Sequence, residues 1–227
     1  MNLGGAIGEL LPSALGVAIS PVPIIAAVLM LMSARARQTA PAFALGWIAG
    51  LVVVGVVVLL VADPADVAGD GTGSTVSGWI KVALGLLFVA MAAGQWRRRP
   101  RAGEQARLPG WMEAIDRMPA PRAFALAAAL AAVNPKNLAL TLAGALSIAQ
   151  AGLSTGQSAV ALAVFVLVAA STVAGPVIAF LLLRDRVEAP LLRAKDWLAR
   201  ENATVMFVVL LVLGVVVLGK GIGIVTA

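Results

Sequence analysis

Long runs without charge constrain this chain more than any other feature. About 20 consecutive apolar residues span the hydrocarbon core of a bilayer, and Leu10 to Met32, Thr39 to Ala62 and Ser158 to Leu183 each meet that length outright. Val76 to Trp96 makes a fourth span if Lys81, near its start, snorkels to the headgroups; Asn202 to Gly219, ended by Lys220, makes a fifth. A sixth run, Ala123 to Gln150, carries one charge, Lys136, far from either end. Composition agrees, because 61% hydrophobic and 12% charged residues leave too little polar material to coat a water-facing sphere. The expected fold is all-α, a polytopic membrane protein of six transmembrane helices.

Several chemistries are excluded at once. With no cysteine and no histidine the chain has no disulfide, thiol exchange, Cys/His zinc site or imidazole base. A paired carboxylate and a serine beside a base are also missing at depth, so no enzyme is expected. No metal and no cofactor is expected either. No Lys or Arg precedes Arg35, so the first span lacks the basic lead of a secretory signal and is expected to be retained.

Charge then reports topology. Six spans place the segments around Arg35 to Arg37, Arg97 to Arg122 and Arg184 to Glu201 on one side, and these hold 14 of the 17 Lys and Arg. The other side has Glu9, Asp63, Asp66 and Asp70, with Lys81 and Lys220 at helix ends. By the positive-inside bias both termini lie outside the cytoplasm, and the protein is a multi-pass protein of the plasma (inner) membrane. The run Trp96 to Arg101 reads as a topology anchor touching anionic lipid rather than a nucleic-acid patch. Trp111, Ile115 and Met118 share a helical face, as do Val187, Leu191 and Leu198, which predicts short amphipathic helices on the membrane surface. The segment from Asp63 to Ser74 reads as a turn-forming external loop; Asp66 and Asp70 lack the spacing of a calcium loop.

The chain also repeats itself. Ala18-Ile-Ser-Pro21-Val-Pro23 aligns with Ala132-Val-Asn-Pro135-Lys136-Asn137 at an offset of 114 residues, half the chain. Three spans per half make the second copy enter from the opposite side, a 3+3 inverted repeat. The expected organisation is one transmembrane domain over 1–227, with a first repeat at about 8–96, a basic cytoplasmic linker at 97–122 and a second repeat at about 123–224. Pro21 and Pro135 fall near mid-span. Proline removes a backbone hydrogen bond and clashes one turn back, and such breaks survive in lipid only where protein or a water-filled cavity covers them. Helices 1 and 4 are therefore expected to be broken, and to face each other around a central site.

Lys136 sharpens that expectation, since a lysine at mid-bilayer costs at least about 2.5 kcal/mol and normally faces the bundle interior with a partner. No acidic residue inside a span is available. A carbonyl released by Pro135 or Pro21, the side chains of Asn134, Asn137 or Ser20, or an anionic group of a substrate could each serve. Candidate substrate-binding residues are thus Ser20, Pro21, Pro23, Asn134, Pro135, Lys136 and Asn137, with Ser171 and Thr172 from the kink before Pro176, and Glu9 at the outer mouth as a carrier of protons in a coupled cycle. Gly46 and Gly50, four apart, read as close helix packing. Trp47 between them reads as space-filling.

Ser20-Pro21-Val22-Pro23 and Asn134-Pro135-Lys136-Asn137 within six spans resemble the lysine exporter (LysE) superfamily, and within it the GAP or SfLAP branch, named for glycopeptidolipid-addressing and sulfolipid-addressing proteins of mycobacteria and related actinobacteria. The resemblance runs from about Glu9 to the last helix. It implies an inner-membrane transporter tied to delivery of glycolipids toward the cell surface, beside other lipid-export machinery. The superfamily also holds thiol-electron carriers and divalent-cation exporters, but a chain without cysteine, histidine or a mid-span carboxylate fits neither.

The leading expectation is a transporter or translocation factor for an anionic (glyco)lipid or amphiphile, working at a midplane site. Export of amino acids or other small solutes is the alternative within the same class, and a non-transporting scaffold for lipid-export machinery the alternative outside it. Expected partners are a lipid or small anionic substrate, anionic membrane lipids at the basic loops, lipid-export machinery and no nucleic acid, with a second copy in a homodimer as a further candidate.

Overall fold

A computed structural model describes residues 2–61, 75–97, 115 and 118–226. The segment with Asp63, Asp66 and Asp70 that is expected to form an external loop, Trp111, and most of the basic segment at 97–122 lie outside these residues, as do the side chains of Lys81 and Lys220. All regular structure among the described residues is helical: α1 (Leu3–Ala18), α2 (Pro21–Met32), α3 (Ala36–Val61), α4 (Thr75–Arg97), α5 (Ala120–Ala132), α6 (Pro135–Gln150) and α7 (Thr155–Val225). Lipid leaves no choice here, because a spanning backbone must satisfy its own hydrogen bonds.

Three stretches are long and apolar enough to cross a membrane singly: Ala36–Val61, Thr155–Leu183 and Arg200–Val225. The helical backbone of α7 is interrupted at Leu183, where φ is −129° and ψ is 20°. Two bent pairs, α1 with α2 at 54° and α5 with α6 at 65°, are apolar and long enough when taken together. In α4 the apolar part, Val82–Arg97, is shorter. The last of the three single stretches runs from Arg200 past Lys220 to Val225, longer than the apolar run from Asn202 to Gly219. A lysine ends an apolar run without ending a helix, since it is a good helix former whose stem can snorkel.

The two bends have one local cause. Ser20, just before Pro21, is extended (φ −104°, ψ 105°), and so is Asn134 before Pro135 (φ −63°, ψ 118°). A residue preceding proline is pushed out of the α region by the pyrrolidine ring. Proline itself suits the first position of a new helix, whose N–H would have no partner anyway. Each motif therefore ends one helix and begins the next within a few residues.

The chain forms two compact units. The first, residues 1–62 with 107–199, contains α1, α2, α3, α5, α6 and the Thr155–Leu183 part of α7. Here α3 lies directly on α5: a Cβ at Gly46 would strike the Phe124 carbonyl, and one at Gly50 would sit 2.8 Å from Ala128 O and 2.8 Å from Ala131 Cβ. The matching surface on α5 is a stripe of small buried residues, Ala123, Ala127 and Ala131. Small residues let backbones approach where lipid supplies no hydrophobic drive between helices. Phe43, Trp47 and Leu51 fill the rest of the buried side of α3.

The second unit, residues 63–106 with 200–227, contains α4 and Arg200–Val225. These pack antiparallel through glycines seven residues apart on each helix: a Cβ at Gly85 would lie 2.9 Å from Gly214 O, and one at Gly221 would lie 2.9 Å from Gly78 O. Trp96 stacks on Phe207, ring centroids 4.8 Å apart.

Gly46→Ala should lower the stability of the purified protein by about 1–3 kcal/mol, because the neighbour it meets is backbone and cannot rotate away. Gly175→Ala, in a helix with open space around it, should be neutral or slightly stabilising. Thermal unfolding of both variants in detergent measures the contrast.

Candidate binding site at the two helix breaks

A helix that stops leaves its last four carbonyls without donors. At the end of α1 the shortage is deepened by Pro21 and Pro23, which have no N–H to offer the carbonyls of Val17 and Ile19, four residues earlier. Two of the orphaned oxygens are served from the other half of the chain. Lys136 Nζ donates to Ile19 O at 3.3 Å, and Thr172 Oγ1 donates to Ala18 O at 2.6 Å. The cation stands where the partial negative charge of a helix C-terminus is concentrated.

The second break is finished from within its own half. Asn134 caps α6 by accepting from Lys136 N at 3.1 Å, and Asn137 Nδ2 donates to Leu130 O at 3.2 Å, near the end of α5. Both bonds follow from sequence position: Asn is a favoured N-cap, and Asn137 on the first turn of α6 reaches back across the bend.

Burial sets how strongly these groups need partners. Lys136 is 2% exposed and Asn137 is fully buried. An ammonium has three donors, and Lys136 uses one. Among the described residues no carboxylate pairs with it, and the ion pair they hold is Lys195 with Asp196, at 3.1 Å. Asn137 Oδ1 and Trp47 Nε1 are buried without a hydrogen-bond partner among the described residues. Since Leu130 O only accepts, the Asn137 amide is oriented with its oxygen left over. The interior of this unit thus keeps two ammonium protons, one indole N–H and one amide oxygen uncommitted.

Ser20, Pro21 and Pro23 are buried at the first break, and Asn134, Lys136 and Asn137 lie at the second, with Pro135 exposed. Thr172 joins them through Ala18. Ser171 is placed elsewhere, on an exposed face with its hydroxyl bonded to Val168 O at 2.7 Å. Glu9 is exposed on α1, one turn before Ser13. Ile115 is buried and its carbonyl accepts from Met118 N at 3.0 Å, while Val187, Leu191 and Leu198 are half-buried on the continuing helix of α7. A carbonyl released by Pro135 or Pro21 was among the partners expected for Lys136; the acceptor is Ile19 O, which Pro23 releases. Counting four residues back from Pro23 identifies Ile19 O as an oxygen without a donor, and that rule needs no structure.

The family model described as Sap, sulfolipid-1-addressing protein, matches residues 10–223. The chain belongs to the sulfolipid-1-addressing protein (SfLAP) family. No curated protein and no solved structure matches it. Family membership, with apolar helices of spanning length, makes this a membrane protein related to lipid addressing and export, in a family associated with transport. Both helix breaks and every residue of the cluster fall inside the matched SfLAP region.

Thr172→Val should destabilise the protein by about 1–3 kcal/mol, because it leaves the Ala18 carbonyl part-buried and unserved. Thr172→Ser keeps a hydroxyl and should recover most of that loss. Ser171→Ala should stay within about 0.5 kcal/mol. Thermal melts of the three variants in one detergent distinguish these outcomes.

Proposed function

We propose that this SfLAP protein carries an anionic lipid headgroup across the inner membrane toward the cell surface, holding the anion at Lys136 between the two broken helices. One observation carries the reading: a lysine 2% exposed, with one hydrogen bond to a backbone carbonyl and no carboxylate partner among the described residues. An intramembrane charge that protein does not neutralise marks a substrate path. A sulfate, phosphate or carboxylate would neutralise it and take up the spare N–H donors through charge-assisted bonds. Trp47 Nε1 is a further uncommitted donor in the same unit.

Six spans in a 3+3 inverted arrangement complete the proposal. The two bent pairs, 54° and 65°, break at residues 114 apart in sequence, and the helices that would close each half, α4 and Arg200–Val225, pack antiparallel, as inversion requires. In this reading both termini are extracytoplasmic, the basic segments lie against anionic lipid, and rocking between the halves alternates access to the site. Only the headgroup crosses through the bundle while the acyl tails stay in the bilayer. Lipid-export machinery on either side would supply and receive the cargo.

Lys136→Met tests this directly. Each charge-assisted hydrogen bond is worth about 1.5–3 kcal/mol, so the variant should retain about 10- to 100-fold less co-purified anionic lipid in native mass spectrometry and should lose export at unchanged membrane level. A folded Lys136→Met protein that keeps its lipid and exports normally would refute the central site and favour a scaffold role.

A further inference from the structure

The carbonyls at the end of α1 are arranged for a cation, whatever the cargo. Val17 and Ile19 lose their helical donors to Pro21 and Pro23, and the last turn of any helix gathers its free oxygens at the negative end of the dipole. Half-helix ends and unwound carbonyls of this kind hold monovalent cations at bilayer depth. Here the place is taken by a side chain: the Lys136 ammonium, 3.3 Å from Ile19 O, with the Thr172 hydroxyl on the neighbouring Ala18 O at 2.6 Å. Nothing acidic competes for it, since no cluster of three Asp or Glu exists among the described residues and no carboxylate pairs with Lys136.

We infer that Lys136 is a tethered replacement for an alkali ion: the wild-type protein binds neither Na⁺ nor K⁺ at the α1 break, and removing the ammonium uncovers an alkali-cation site built from the Val17, Ala18 and Ile19 carbonyls and the Thr172 hydroxyl. This bears on energy coupling, because a protein that brings its own cation has no ion gradient to draw on at this position. It is independent of the headgroup reading. Thr172 contributes an oxygen rather than a substrate contact, turning its lone pair toward the ion once the ammonium has gone.

The test is thermal unfolding of the full chain in NaCl, KCl and choline chloride at equal ionic strength. Wild type should melt at one temperature in all three. Lys136→Met should melt higher in one alkali chloride than in choline, by about 3–6 °C at ten times the ion's Kd, and the gain should saturate. Lys136→Ala, with more room, should behave alike, and adding Thr172→Val should abolish the gain. A variant that folds only with the alkali ion present would be the strongest support. The inference is overturned if wild type shows an alkali-specific shift, if both Lys136 variants melt identically in the three salts, or if neither folds in any of them. Lipid retention by wild type is read separately, so loss of the headgroup reading would leave this result standing.

Discussion

The bond from Lys136 Nζ to Ile19 O joins residues 117 apart in sequence and answers two shortages at once. A proline-ended helix leaves carbonyls without donors, and a buried ammonium needs acceptors. Either alone would cost several kcal/mol at bilayer depth. Together they satisfy each other, and Thr172 does the same for Ala18 one residue earlier. The break in α1 is stable because the second half of the chain supplies the donors. The close approach of α3 to α5 at Gly46 and Gly50 holds α5, and with it the start of α6, in the unit where that exchange happens.

That satisfaction is incomplete, and the proposed function rests on the remainder. Two ammonium protons, Trp47 Nε1 and Asn137 Oδ1 stay uncommitted among the described residues of a unit whose interior is mostly apolar. Of these side-chain positions three donate and one accepts, which suits the acceptor-rich anion proposed for the site. The family's role in addressing a lipid is compatible with this imbalance, and we propose that such a group is held there.

Much of this was legible in the sequence, for reasons that are local. The three single stretches long enough to span follow from apolar run length, and the breaks at Ser20 and Asn134 follow from the conformational limits of a residue before proline. The charge-free reach around Lys136 marked it as a buried lysine in need of a partner. What the sequence left open was pairing. Any of several groups could have received Lys136, and the choice of Ile19 O depends on how two halves dock. The heptad spacing of Gly78 with Gly85 and of Gly214 with Gly221 is visible in the chain, yet that they face each other is a tertiary fact. Ser171 and Thr172 show the same limit: adjacent hydroxyls look equivalent in sequence, and on a helix they point about 100° apart, so one reaches Ala18 and the other faces outward.

The most direct measurement is dipolar-recoupling solid-state NMR of the protein in lipid bilayers, with ¹⁵N at the lysine side chains and ¹³C at the isoleucine carbonyls. One N···O bond of 3.3 Å plus a C=O length of about 1.2 Å puts Lys136 Nζ no more than about 4.5 Å from the Ile19 carbonyl carbon. A contact at that range, lost in Lys136→Met, is the expected result. A Lys136 nitrogen with no coupling to Ile19 would contradict the account.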